Sequence, residues 1–219
     1  MISKDIFEFL IELKKNNNRE WLYDHKAEYE KVKQSLIDFI SYLIQEIKKF
    51  DFEIAVTEPK DCLFRINRDV RFSKDKNPYK TNFGIFIAKG GKNGGNAGYY
   101  LHIEDNNSFI GGGIYLPSPE KLKLIRKEIF YNTIEFKNII KNPVFTYTFK
   151  EIWDDNPLKK APKEFPADFE DIDLLKFRNY TVIKNLSNSV ILSEIFGSSV
   201  INIFKVLYPF NRFINRAFD

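Results

Sequence analysis

The sequence is poor in the residues from which most metal and covalent-catalytic sites are built. It holds one cysteine, Cys62, and two histidines, His25 and His102. A single cysteine excludes an intramolecular disulfide and a cysteine metal cage. The histidines stand far apart, and neither has a second His or Cys at ligand spacing, so no metal site is expected. No G-x-S-x-G elbow occurs and Cys62 has no evident base, which leaves nucleophilic catalysis without sequence support. The glycine run GGKNGGNAG, Gly90 to Gly98, fails the G-x-x-x-x-G-K-[ST] pattern and reads as a hairpin loop. No apolar run approaches the ~20 residues of a membrane span. The opening MISKDIFEFLIELKK mixes acids among its apolar residues, unlike a signal peptide. The expected setting is reducing and cytoplasmic, with no membrane partner.

A large net charge is also lacking: 34 basic against 30 acidic residues leave +4. The distribution of that surplus is the informative part. The stretch RINRDVRFSKDKNPYK, residues 65–80, carries Arg65, Arg68, Arg71, Lys74, Lys76 and Lys80 against Asp69 and Asp75. Its surplus equals that of the whole chain, so the remainder is electrically balanced. Alternation over Leu63 to Phe72 predicts a strand, with Asn77-Pro78 as the turn after it. A strand puts Phe64, Ile66, Val70 and Phe72 on one face, with Arg68 among them, and Arg65, Asn67, Asp69 and Arg71 on the other. Arginine forks match the oxygens of phosphate or carboxylate. Asp69 can orient either neighbouring fork, Lys74, Lys76 and Lys80 add point charges at the rim, and Tyr79 adds a hydroxyl. Asp69 as base and Tyr79 as acid are the candidate catalytic groups. Arg68, set on an apolar face, needs a partner such as Asp75.

The rest of the chain sets the fold class. Helical spacing marks Ile6 to Leu13, then a helix capped by Asn18 through Trp21, His25 and Tyr29, then a long helix from Val32 to Phe50. His25 is expected on a solvated face. Strands are predicted at Phe83 to Ala88, Tyr99 to Glu104 and Ser108 to Tyr115, joined by connections too short for parallel crossovers. His102, alternating with Leu101 and Ile103, points to solvent or to a hydrogen-bond partner and is not read as functional. Gly111-Gly112-Gly113 marks a bulge or a close backbone approach. Ser118 and Pro119 open another helix. A shorter helix follows Thr133, then strands at Val144 to Phe149 and Asn179 to Ile183, and a final helical region from Ser187 that contains Pro209. The expected architecture is α+β in a single domain, 1–219: a helical N-terminal region (1–50), a central antiparallel meander (62–116) and a mixed C-terminal region (117–219).

The residues Arg65, Arg68, Asp69, Arg71, Phe72, Asp75, Lys76 and Tyr79 resemble the signature of an uncharacterised, mainly bacterial family, domain of unknown function 2461. NNNREWLYDHK (16–26) resembles that family's Asn-Arg-x-Trp block, with Leu22 where an aromatic is usual. FIGGGIYLP and LKKAPKEFP…DLLKFRNYTV resemble later blocks, with Glu164 where a glycine is usual. The resemblance implies one cytoplasmic domain and no known activity, cofactor or catalytic residue. It makes Asn18, Arg19 and Trp21 candidates to sit near the basic segment.

Three functions fit these residues. The first is a site for a phosphorylated or other anionic ligand, enzymatic or not, on Arg65, Arg68, Asp69, Arg71, Lys74, Lys76, Tyr79 and Lys80. The second is a nucleic-acid-binding module without catalysis. The third is a structural or protein-interaction module in which the segment is a salt-bridge network. Oligomeric state is not legible.

Overall fold

Apolar residues at helical spacing build α1 (Lys4–Lys15) and α3 (Lys26–Ile47), and a side-chain cap starts the short α2 (Arg19–Asp24) between them. The computed structural model describes residues 2–54, 57–71 and 74–219. Ile6, Phe7, Leu10 and Leu13 of α1 and Leu36, Ile40, Leu43 and Ile47 of α3 are buried stripes of amphipathic helices. Asn18 caps α2 by accepting the Trp21 amide at 2.9 Å. A short helix, α4 (Pro59–Cys62), precedes the basic segment.

The sheet is an antiparallel meander, β1 (Phe83–Ile87), β2 (Gly98–Ile103), β3 (Ser108–Ile114) and β4 (Tyr180–Leu186), with spatial order β1-β2-β3-β4. The expected close approach at the glycines is present. A Cβ on Gly111 would meet the Val182 carbonyl, and one on Gly112 would meet that of Gly98. Between β3 and β4 come α5 (Pro119–Tyr131), α6 (Thr133–Ile140) and α7 (Pro143–Phe149). Ser118 and Pro119 occupy the cap and first-turn positions of α5, as their chemistry dictates. The chain ends with α8 (Asn188–Ile191) and α9 (Phe196–Arg216), which runs through Pro209. Helices flanking an antiparallel sheet make the fold α+β. Among the described residues, no helix is long and apolar enough to cross a membrane.

Two expectations are corrected. Val144 to Phe149 is not a strand but most of α7. The alternation V-F-T-Y-T-F mimics a strand, yet Asn142 caps the segment by accepting the Val144 and Phe145 amides, at 2.9 and 3.4 Å. Pro143 fits its first turn, and the Phe145 and Phe149 rings meet at a tilt with centroids 5.2 Å apart at i,i+4 spacing. Leu63 to Phe72 is not a regular strand either. Its described residues make isolated antiparallel bridges, Leu63 to Ile85 and Asn67 to Tyr79, with a bend at Ile66. Phe72 lies outside the described residues.

Two compact units can be delineated. One takes in Met1–Gly94, Tyr100–Ile110 and Asn185–Asn202; the other Gly95–Tyr99, Gly111–Lys184 and Ile203–Asp219. In the second unit, the Phe136 ring lies 5.0 Å from that of Phe213, 6.0 Å from Phe210 and 6.3 Å from Tyr180. There the Arg216 guanidinium also bridges Glu128 and Glu135 at 2.7 to 3.0 Å. The first unit contains the basic segment.

Candidate functional site

The basic segment folds as a narrow hairpin. The Arg68 amide donates to the Pro78 carbonyl (2.9 Å) and the Lys80 amide to that of Ile66 (2.8 Å). Among the described residues the pairing goes no further, and two aspartates bind amides of their own arms that do not face the partner arm. Asp69 accepts the Arg71 amide at 3.3 Å and Asp75 that of Asn77 at 3.0 Å. Pro78, lacking an N–H, cannot extend it. The alternation of faces nevertheless survives. Ile66 is buried and Phe64, Arg68 and Val70 are half-buried, whereas Arg65, Asn67, Asp69 and Arg71 are exposed.

The charges sort into two groups. Arg71 and Asp69 pair as a fork, with Nε and Nη2 donating to the two carboxylate oxygens at 2.9 and 2.7 Å. Arg68 donates to Asp75, the partner its position requires. Hydrogen bonds from the Arg71 side chain and amide, with the Arg65 charge, hold the Asp69 carboxyl below its usual range, so Asp69 is an ionised orienting group and a feeble base. The second group is not neutralised. Among the described residues the Arg65 guanidinium has no hydrogen-bond or ion-pair partner. Lys80 donates to the Arg65 carbonyl at 3.1 Å, and its ammonium lies 5.5 Å from the Phe64 ring centroid. Burial, then the Arg65 and Arg68 charges, push the Lys80 ammonium below its ordinary pKa. Lys76 donates to the Val70 carbonyl at 3.1 Å, and Lys74 is exposed. Tyr79 is buried.

The N-terminal block reaches this hairpin through a residue absent from the candidates. Asn17 donates to the Tyr79 carbonyl at 3.0 Å and accepts its amide at 3.1 Å. Asn18 is committed to its helix, and Arg19 is exposed. Trp21 lines a groove of ≈ 540 Å3 with Asp5, Glu8, Glu12 and Glu28, of the opposite charge to the hairpin. His25 is not on a solvated face: its ring stacks on Trp21 with centroids 4.0 Å apart, and Nδ1 lies 2.8 Å from the Trp21 carbonyl.

A second polar cluster lies in the same unit. On β2, Tyr100 Oη is 3.1 Å from His102 Nδ1, and His102 Nε2 is 3.3 Å from Glu104 Oε2. Asn107 and Thr81 donate to the same carboxylate at 2.7 and 3.1 Å. Burial raises the Glu104 pKa, but the bonds from Asn107, His102 and Thr81 outweigh it and the net shift is downward. Burial also lowers His102, only partly offset by Glu104. The carboxylate is therefore ionised and the imidazole neutral at pH 7. A carboxylate can only accept, so Nε2 carries the imidazole proton and Nδ1 accepts from the Tyr100 hydroxyl. The sequence signal was the spacing Tyr100, His102, Glu104 on one strand face; alternation had flagged His102 only for a hydrogen-bond partner.

This cluster sets an acid limb on stability. The folded His102 pKa lies below the ordinary 6.5, so the unfolded chain binds the proton first and stability falls as pH drops through the window just below 6.5. Glu104, lowered from 4.5, contributes stability above that value which is lost as pH falls through its folded pKa. Urea midpoints measured from pH 7 down to about 3 are expected to decline in two stages, and His102→Gln is expected to remove the upper one. An unchanged upper stage in that variant would place the titration elsewhere.

Among the described residues no group of three or more His, Cys, Asp or Glu is arranged to hold a metal ion. Cys62 is buried, its thiol pushed up to about 12 by burial, and is not a nucleophile at neutral pH. No curated protein and no solved structure matches the chain. A family model described as conserved hypothetical protein (DUF2461) does match, over residues 5–213, and the chain belongs to that family.

Proposed function

We propose that the hairpin 65–80 binds a phosphorylated or otherwise anionic small molecule in a cytoplasmic setting. The observation that carries this reading is the cationic group Arg65, Arg68 and Lys80, whose charges repel one another, with Asp75 bonded to Arg68 and Asp69, already forked by Arg71, acting on Arg65 through its charge alone. An incoming anion relieves that repulsion and takes a free guanidinium fork at Arg65 together with a half-desolvated ammonium at Lys80. Arg71 and Asp69 engage each other, and Lys74 and Lys76 extend the positive rim. Arg68–Asp75 and Arg71–Asp69 are the part of the segment that fits the salt-bridge-network reading. Both pairs are largely open to solvent, which screens their attraction.

The test is thermal unfolding against inorganic phosphate, pyrophosphate and a panel of nucleotides and sugar phosphates. A ligand at 100 times its Kd adds about 2.7 kcal/mol, a rise of roughly 5–10 °C for a chain of this size. The Arg65→Ala and Lys80→Ala variants are expected to fold and to lose the shift. No shift from any phosphate compound counts against the reading. The placement of the whole net charge in one segment also favours nucleic acid, which predicts an affinity falling with a log–log salt slope of about 0.9 per phosphate contact.

A further inference from the structure

The Tyr100–His102–Glu104 line has the connectivity of an activated nucleophile: a hydroxyl bonded to a base, and the base held by a carboxylate. Three observations separate it from ordinary polar packing on a strand. First, the geometry assigns a tautomer: an ionised Glu104 can only accept, so Nε2–H donates to it and the Nδ1 lone pair is left to accept from the Tyr100 hydroxyl. Second, the base is fixed in orientation. Its ring stacks on Phe109 with centroids 4.6 Å apart and planes 10° apart, and Asn107 and Thr81 hold the carboxylate behind it. Third, room is kept for the hydroxyl. A Cβ on Gly84 would lie 2.9 Å from Tyr100 Oη and 3.1 Å from the Phe64 ring. That ring is the one under the Lys80 ammonium, so the hydroxyl and the cationic hairpin share a neighbour.

We propose that Tyr100 is the reacting hydroxyl of a nucleophilic site for phosphate esters, with His102 as its general base and Glu104 as the positioning carboxylate. The anionic character of the substrate rests on the reading of the hairpin above; the relay itself does not. In the transfer step Tyr100 Oη forms a bond to phosphorus while the bond from phosphorus to the ester oxygen breaks. The phenolic proton passes to His102 Nδ1, and the imidazolium, stabilised by Glu104, returns it to the departing alkoxide. Water then attacks the phosphotyrosine with His102 as base, releasing phosphate and restoring the phenol. The sum is ester plus water to alcohol plus phosphate. Burial raises the free Tyr100 phenol to about 12, so without the base the hydroxyl is inert at neutral pH.

Two aryl sulfonyl fluorides test the relay and the anion site separately: neutral benzenesulfonyl fluoride and anionic 4-(fluorosulfonyl)benzoate. Each reacts by forming an O–S bond at the nucleophile, breaking S–F and releasing fluoride, with the proton taken by His102. Peptide mass spectrometry at pH 7.5 is expected to find both probes on Tyr100. His102→Gln is expected to slow labelling by about 100-fold, the scale of a general base. Glu104→Gln is expected to slow it as well, and it serves as the second variant should His102→Gln not fold. The anionic probe is expected to react at least tenfold faster than the neutral one, with the preference lost in Arg65→Ala/Lys80→Ala and suppressed by inorganic phosphate. Absence of Tyr100 adducts with both probes, or labelling indifferent to His102→Gln and Glu104→Gln, overturns the relay. Equal rates for the two probes with labelling still dependent on His102 support the relay and overturn the anion site.

Discussion

Phe136→Ala is expected to lose about 3–5 kcal/mol of stability, a large share of the ~5–15 kcal/mol that a protein of this kind commands. Phe136 is fully buried in α6, and its ring meets those of Tyr180, Phe210 and Phe213, drawn from β4 and α9. Truncation removes the transfer free energy of the ring and also three ring–ring contacts of roughly 0.5–1.5 kcal/mol each. Collapse around the gap is opposed by the same neighbours, since Tyr180 is anchored through its hydroxyl to the Leu174 carbonyl at 2.9 Å. A melting point lower by roughly 10 °C, with the urea m-value unchanged, is the expected reading. A loss below about 1 kcal/mol would mean that the aromatic cluster repacks around alanine. The neighbouring Phe213→Leu keeps most of the volume and is expected to cost less than half as much.

Gly113→Ala is expected to destabilise by about 3 kcal/mol or more although it adds only a methyl group. Gly113 sits at φ +99°, where L side chains are strained at a cost of order 1–3 kcal/mol. The new Cβ would also press on the Tyr180 carbonyl oxygen and lie 3.0 Å from Phe210 Cε1. Either β3 and β4 separate, which breaks ladder bonds, or the φ angle changes and the strand end turns away. Overpacking of this kind adds another 1–3 kcal/mol. Denaturant titration of the variant checks the value, and a loss under 1 kcal/mol would show that the end of β3 can adopt an ordinary strand conformation.

The two cases illustrate which parts of the structure were legible in the sequence. Helices marked by a stripe (α1), a cap (α2) or both (α5) follow from their own residues, because spacing and capping are local. The glycine triplet announced a close approach for the same reason. Val144 to Phe149 was misread because β-branched and aromatic residues in alternation fit a strand, while the deciding facts are Asn142 at the cap and the Phe145–Phe149 pair. In the basic segment the alternation correctly divided exposed from buried side chains. Pairing was the illegible part, since it turns on Pro78 lying opposite Arg68 with no N–H to return the bond it accepts. Asn17 escaped notice because its partner is 62 residues away, a separation over which sequence periodicity carries no signal. The Tyr100, His102 and Glu104 spacing was visible as alternation. Its meaning depended on Asn107 and Thr81, which fix the carboxylate from a turn and from the far side of β1 in sequence.

The Asn17 side chain, bonded to both backbone polar groups of Tyr79, acts as a latch between the first helices and the closing arm of the cationic hairpin. Its consequence is kinetic. Among the described residues two backbone bonds join its arms, so the two Asn17 bonds are expected to supply much of what holds the second arm in place. Synthesis delivers the parts in the matching order, helices first and arm later. Amide hydrogen at Tyr79 thereby becomes a reporter for the N-terminal helices: its exchange with solvent follows the opening of that distant region, not fraying of the arm to which it belongs.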